Sequence, residues 1–399
     1  MGRIEPSIGR QPAAFRKDAR AKKAKATINK VIPSLLAGNP IAQQGVNSAQ
    51  LLGFINCGVF PAAVKKALED QDWGDRKKPG IIALPSRNKV EDLPELKLPR
   101  VSIREVDTLT AARDLLEIET PAGVKANLSN DKARVAILNM GSPLNPGGGV
   151  LNGANSQEES LCMRTTLYPS LKEEWYRLPE LSSIYTPNVL VFRDEDGEDL
   201  DKKDRFYVNC ITAAMIRAPE FELDDDGIAT YANTKDRETV QLKMQAVMRI
   251  AMLRNTKRLV LGAWGCGAHG NPVGEIARIW RSVLRPRYDK SKIVKERWEY
   301  IDEIVFAIKD HNMAQAFAEA FGEGLERPDE EKKEEDKEET EVIDLAEVKK
   351  QELQDKIKEL EQRIRSATNP KVTEGLKSVL EGLKKQLPSE DEAATKESE

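Results

Sequence analysis

The chain is poor in the residues that build metal sites and disulfide frameworks. Its 399 residues include four cysteines, Cys57, Cys162, Cys210 and Cys266, widely separated and without a CxxC pair, and only two histidines, His269 and His311. Neither a zinc site nor a disulfide scaffold is expected, no metal or cofactor is implied, and a reducing intracellular setting, cytoplasmic or nuclear, follows from the cysteine usage. Aromatic residues make up 5% of the chain, too few for its whole length to be packed core. No apolar run approaches the roughly 20 residues that span a bilayer, and the N-terminus lacks the apolar stretch of a signal peptide, so no membrane partner is expected. A formal net charge of -4 hides a basic segment near the N-terminus and a tail dense in both signs. Neither names a partner by itself.

What is present divides the chain. Residues 1–14, rich in Gly, Pro and Arg, are expected to be disordered. The spacing of Phe15, Ala19, Ile28, Val31, Ile32, Leu35 and Leu36 predicts a helix that stops at Gly38-Asn39-Pro40, with Arg16, Lys17, Arg20, Lys22, Lys23 and Lys25 on its other face. The plain reading of that basic face is solvated surface; an anionic-polymer dock or a nuclear address are the alternatives. This helix opens an N-terminal extension over 15–98, expected to be helical and packed on the next domain, with one short strand candidate at 81–84. From 99 to 324, strand candidates at 101–106, 134–139, 206–213, 258–264 and 301–308 alternate with helix candidates near 107–117, 157–177, 234–255, 273–284 and 311–322. That alternation predicts an α/β fold with a mostly parallel sheet between helices. The polar stretch 178–204 and Asp224-Asp225-Asp226-Gly227 are expected to be exposed loops. Residues 325–344 read as a disordered charged linker. Within 345–388, Leu353, Ile357, Leu360, Ile364 and then Leu376, Val379, Leu383, Leu387 suggest two short amphipathic helices, a hairpin or coiled-coil appendage able to hold a protein partner, before a disordered tail over 389–399.

Chemistry concentrates in two loops, each following a strand candidate, which should therefore open on one edge of the sheet. The first runs from Asn139 through Gly147-Gly148-Gly149 to Gln157-Glu158-Glu159 at a predicted helix start. It is not a triphosphate loop: Gly148 and Gly153 have the spacing, but Ala154-Asn155 stands where Lys-Ser/Thr is required. Adjacent glutamates at a helix start are most simply partners of the helix dipole. Their place just past three glycines raises the catalytic alternative. Successive helical residues diverge by about 100°, so one carboxylate can reach a scissile bond while the other binds a neighbouring hydroxyl. The second loop, Gly265-Cys266-Gly267-Ala268-His269-Gly270, satisfies GxGxxG between a strand and a helix, a cradle for a diphosphate. Nicotinamide or flavin binding is the lesser alternative, because no following strand carries a ribose-binding acid. His269 is a turn residue or a phosphate donor. Cys162, Cys210 and Cys266 are expected to be small buried residues, and Trp264 a core residue with its N–H satisfied nearby.

These residues resemble a known family. Pro146-Gly147-Gly148-Gly149, seven residues and then Gln157-Glu158-Glu159 are similar to the GGG-x(6-8)-QEE signature of poly(ADP-ribose) glycohydrolases. The flanking Ser160-Leu161-Cys162, Val208-Asn209-Cys210-Ile211-Thr212-Ala213-Ala214, Leu261-Gly262-Ala263-Trp264-Gly265-Cys266-Gly267 with Gly270-Asn271-Pro272, and Ile304-Val305-Phe306-Ala307-Ile308 resemble its microbial type. The resemblance implies a macrodomain-like three-layer α/β/α sandwich and hydrolysis of ribose-ribose O-glycosidic bonds, mainly from chain ends, reversing ADP-ribosylation as in a DNA damage response. Glu159 would be the general acid and then base, Glu158 would hold ribose hydroxyls, and amides around Gly147, Gly148 and Gly149 would orient the distal ribose. Asn145, Val150 and Gln157 complete the implied ligand set, with the loop from Gly265 to Gly270 taking the diphosphate. The implied partners are poly(ADP-ribose) or ADP-ribosylated proteins, with no direct sequence-specific nucleic-acid binding. Where the family pattern has an aromatic residue, this chain has His269. A non-catalytic ADP-ribose reader and a mono-ADP-ribosyl-protein hydrolase are the alternatives.

Overall fold

A computed structural model of the protein describes residues 13–53, 98–224, 228–285, 298 and 300–328. The strand candidate at 81–84, Asp225 to Gly227, and the appendage beyond residue 328 lie outside these residues. Seven strands form one sheet in the order β1-β6-β7-β5-β10-β11-β2: β1 Gln50–Leu52, β2 Arg100–Arg104, β5 Val135–Met140, β6 Ser183–Val191, β7 Phe206–Ala213, β10 Arg258–Leu261 and β11 Glu303–Ala307. The pairings β7-β5, β5-β10, β10-β11 and β11-β2 are parallel, whereas β6 is antiparallel to both β1 and β7. Two exposed hairpins, β3 Glu117–Thr120 with β4 Gly123–Ala126 and β8 Phe221–Leu223 with β9 Ala229–Tyr231, stand apart from it.

The central strands are largely apolar because both faces are covered. Along β5, Ala136 and Leu138 join the core of one face while Val135 and Ile137 join that of the other, as a period of two requires. The first face packs against α6 Thr234–Leu253, α7 Val273–Leu284 and α8 His311–Phe321; the second packs against α4 Thr108–Asp114 and α5 Gln157–Arg164. This is the expected three-layer α/β/α sandwich with a mixed, mostly parallel sheet. The scarce aromatics gather on the first face, where Trp264, Trp280, Phe306 and Phe317 follow one another at centroid separations of 6.4, 5.9 and 4.7 Å. Trp264 and Trp280 are fully buried, yet among the described residues neither indole N–H has a hydrogen-bond partner. The expected partner for Trp264 is therefore missing: aromatic packing, not a polar anchor, holds that ring.

The N-terminal helix is continuous in path but changes its winding. After α1 Ala13–Ala26, a π-helical turn over Thr27–Val31 leads into α2 Ile32–Ala37, which ends at Gly38; Asn39 then caps α3 Pro40–Asn47. The buried Thr27 hydroxyl accepts from Arg193 Nη1 at 2.9 Å, inside the π turn. Part of the basic face is engaged with the rest of the protein. Arg20 Nε donates to the Gly153 carbonyl at 2.9 Å and Lys23 Nζ to the Gly197 carbonyl at 3.1 Å. Gly153, at φ +73°, lies so close beneath α1 that a Cβ there would sit 2.9 Å from the carbonyl carbon of Lys17.

Two further expectations fail. The stretch 178–204 is not simply an exposed loop, because residues 183–191 form the nine-residue strand β6, largely buried; Pro187 and Asn188 at φ +51° accompany the register shift between Thr186 and Val189 and mask the alternation in the sequence. The helix expected over 157–177 ends at Arg164. Thr165 is extended, its backbone N–H closing on Leu161, and two short 3-10 turns, Tyr168–Ser170 and Glu173–Trp175, follow.

Candidate active site

Three loops leave the carboxyl ends of three adjacent parallel strands, β7, β5 and β10, so both glycine-rich loops do open on one edge. The first carries the carboxylate pair. Burial would be costly for two ionised neighbours, and the local backbone answers it with donors. Glu158 Oε2 accepts the Ser142 amide at 2.7 Å, and its Oε1 meets Asn139 Nδ2 at 3.5 Å, with Asn139 in turn bonded to Thr212 at 3.1 Å. Burial, with a lesser push from Glu159, raises the Glu158 carboxyl to about 8 against the donors from Ser142, Asn139 and Gly147. Glu158 therefore carries a proton at neutral pH.

Glu159 points elsewhere, as the helical divergence requires. Its Oε1 accepts the Gly149 amide at 2.8 Å, and its Oε2 accepts the Ser156 amide at 3.0 Å and the Ser156 hydroxyl. It thereby closes a capping box on α5 and ties the glycine loop to the helix. The amides expected to orient a ribose are largely committed within the protein: Gly149 serves Glu159, Gly148 donates to Asn145 O at 3.1 Å, and Val150 to Gly147 O at 3.1 Å. Carboxyl groups buried this close claim those donors first. Gly148, at φ +58°, is where the arrangement most needs glycine. A Cβ there would lie 2.6 Å from Glu159 Oε1 and 2.9 Å from Glu158 Oε2, so the two carboxylates border one notch. Gln157 turns inward: its Oε1 accepts the Met140 amide at 2.8 Å and its Nε2 donates to Leu138 O at 2.7 Å, fixing α5 on the end of β5. Asn145 is exposed at the loop tip, and Val150 is buried beneath it.

The second loop is built to meet an anion. Gly265 has φ +84°, and among the described residues the amides of Gly267, Ala268 and His269 donate to no other group. They precede the N-terminus of α7, whose dipole favours negative charge. His269 is half-buried, and burial and Arg217 together hold its imidazole below the usual histidine range, so it is neutral at pH 7 and offers a diphosphate no full charge. Its carbonyl accepts from Ala218, joining this loop to the one after β7. Cys266 is partly exposed, whereas Cys162 and Cys210 are buried.

Several residues important here had been given no role from the sequence. Asn139, Thr212 and Ser142 set the environment of Glu158; the first two are polar at the ends of otherwise apolar strands, a signal that was available. Asn271 laces the second loop to its neighbour. It is buried, its Nδ2 donating to Ile216 O at 2.8 Å and Gly265 O at 3.1 Å and its Oδ1 accepting from Tyr231 at 2.7 Å. Replacing it with Ala strands these partners, and a loss of about 1–3 kcal/mol is expected, read as a lowered unfolding midpoint in urea at unchanged m. A cavity of about 430 Å3 opens at the same edge, walled by Thr108, Gln157, Arg164, Ala263, Lys309 and Met313. At its rim Arg164 pairs with Asp107 at 3.1 Å; although burial opposes it, that charge and the amides of Leu109 and Thr110 keep Asp107 below the usual carboxylate range.

The raised carboxyl of Glu158 has a consequence for stability. The folded state keeps a proton that the unfolded chain releases near the ordinary value of 4.5, so this contribution is complete below that pH and is lost as pH rises through about 8. Between those limits Glu158 tilts stability downward with pH by at most about 1.4 kcal/mol per unit. Glu158→Gln is expected to flatten that segment of a melting-temperature profile, and an unchanged slope would show that the carboxyl titrates normally.

Residues 84–194 match the family model described as "Microbial-type PARG, catalytic domain", the abbreviation standing for poly(ADP-ribose) glycohydrolase. Compared with the curated proteins, the chain finds no match. Among solved structures it is similar to the poly(ADP-ribose) glycohydrolase of Thermomonospora curvata, at 24% identity and a TM-score of 0.50 over 76% of this chain and 100% of that one. A structure of the Deinococcus radiodurans enzyme in complex with ADP-ribose aligns at 22% identity and a TM-score of 0.46, over 70% of this chain and 96% of that one. At such identities the structural likeness speaks for the fold, and the matched segment holds the whole stretch from Asn139 to Glu159. In that segment, and in the α/β fold around it, this chain is similar to the microbial-type poly(ADP-ribose) glycohydrolases.

Proposed function

We propose that the chain is a poly(ADP-ribose) glycohydrolase that cleaves ribose-ribose O-glycosidic bonds, mainly from chain ends, and releases ADP-ribose. The observation that carries this reading is the buried pair Glu158 and Glu159, bordering one notch above Gly148, beside a loop whose amides suit a diphosphate. The pair holds a proton at neutral pH, carried by Glu158 in the resting site. A ribose hydroxyl or water in the notch reaches both carboxyls. Through it Glu159 receives the proton that it delivers to the leaving ribose oxygen as the C1–O bond breaks. An oxocarbenium-like centre develops, Glu159 takes a proton from the attacking water, and the hydroxyl closes on C1. Neighbouring glutamates on one helix cannot straddle a sugar as two separated carboxylates do, so one group serves as acid and then base. Glu158 positions the ribose hydroxyls, Gly267 to His269 hold the diphosphate, and the 430 Å3 cavity accommodates the nucleoside end.

The intracellular setting, action in a DNA damage response and a protein partner for the C-terminal appendage belong to the same proposal and rest on the sequence. The test is a comparison of substrates with the 399-residue chain. Free ADP-ribose released from poly(ADP-ribose), with little released from a protein bearing single units, supports the proposal. Release from the single units alone would favour the mono-ADP-ribosyl hydrolase, and ADP-ribose binding without release the reader.

A further inference from the structure

Glu159 also lies on the wall of a second cavity, of about 190 Å3, on the side of α5 that faces α1. It shares Asn155, Ser160, Arg164 and Glu195 with the larger cavity, so the two meet along α5. Its volume falls below the roughly 300–1,000 Å3 of pockets that enclose a whole ligand. It suits a segment of a longer chain.

Its charges say which segment. Arg164 and Arg193 line it, but each is already paired, with Asp107 and Asp199. Arg20 and Lys23, reaching over it from α1, are anchored differently: both donate to backbone carbonyls, of Gly153 and Gly197, and not to carboxylates. A neutral acceptor fixes the position of a cation without cancelling its charge. Of the acids on the wall, Glu195 pairs with Lys309, whereas Glu159, which accepts only from the neutral groups of Gly149 and Ser156, and Asp196 are the carboxyls that face the two cations.

We infer that this cavity is a subsite for the diphosphate of the ADP-ribose unit on the leaving side of the scissile bond, held by Arg20 and Lys23. The inference rests on the glycohydrolase reading, under which Glu159 protonates the oxygen of that departing unit and whatever borders Glu159 on this side must receive it. The basic face of the N-terminal helix thereby acquires a use: two of its cations select polymer over shorter substrates.

Binding tests this apart from turnover. In a Glu159→Gln background, two linked ADP-ribose units are expected to bind about tenfold more tightly than ADP-ribose, an advantage that shrinks with salt. Arg20→Gln with Lys23→Gln should abolish that advantage and leave ADP-ribose binding unchanged, while Arg20→Lys with Lys23→Arg should restore it. Both side chains are exposed, so folding is not at stake. In the otherwise unaltered enzyme, the neutralised pair should raise KM for poly(ADP-ribose) and spare hydrolysis of an ADP-ribose carrying a small aryl leaving group. Equal affinity for one and two units, or an equal loss for both in the neutralised variant, would overturn the subsite. A protein that cleaves neither substrate would instead overturn the glycohydrolase reading, with the affinity comparison still deciding the subsite.

Discussion

Glu159→Gln is expected to lower the rate of ADP-ribose release from poly(ADP-ribose) by about 10²- to 10⁴-fold while ADP-ribose binding survives. The amide preserves shape, but its single oxygen can keep accepting from Ser156 or from Gly149 and not from both, so the capping box of α5 is weakened without being removed when the oxygen faces Ser156. What it cannot do is give up a proton and take it back. Glu158→Gln is expected to act differently. The amide imitates the shape of its protonated form but has no proton to pass to Glu159, so the substitution should raise KM and also lower kcat, the latter less than Glu159→Gln does because solvent can protonate Glu159 in its place. Steady-state kinetics on both variants at neutral pH separates the roles, and a larger kcat loss in Glu158→Gln would exchange them.

Gly148→Ala is the second large effect. The added methyl meets both carboxylates in the notch, and a non-glycine residue at φ +58° bears a left-handed penalty of about 1–2 kcal/mol. The carboxylates are ends of flexible side chains and can move aside, so the protein should fold, somewhat less stably. Moving them is what catalysis does not tolerate: a displacement of about 1 Å at reacting groups costs on the order of 10²-fold. Turnover should fall by that factor or more, with the unfolding midpoint in urea only modestly lowered. A variant that retains full turnover would show that the notch is not where the bond is broken.

The parts of the fold legible in the sequence were those whose own pattern decides their structure. The strand Phe206–Ala213 and the helix Val273–Leu284 have the limits that their apolar spacing indicates. By contrast, β6 is set by its neighbours: Pro187 interrupts its pattern, a charged stretch follows it, and only pairing with β7 and β1 makes it a strand. The end of α5 at Arg164 is likewise a tertiary outcome, since Thr166 and Leu190 exchange hydrogen bonds that draw the chain away from the helix. At the site, the glycines and glutamates were visible because their chemistry is local to one stretch. The donors to Glu158, Asn139 and Ser142, lie in one stretch, but Thr212, which accepts from Asn139 and fixes it, comes from β7, and no single window of sequence holds all of them together. The direction of the loop amides was not legible either. Which group an amide serves depends on how near a buried carboxylate lies, and here Glu159 claims Gly149.

The central claim is that the notch between Glu158 and Glu159 breaks a glycosidic bond. The most direct measurement is to incubate the protein with purified poly(ADP-ribose) and quantify free ADP-ribose and chain length over time. Accumulating ADP-ribose from steadily shortening chains is the predicted result. Polymer left intact by a protein that calorimetry shows to bind ADP-ribose would contradict it.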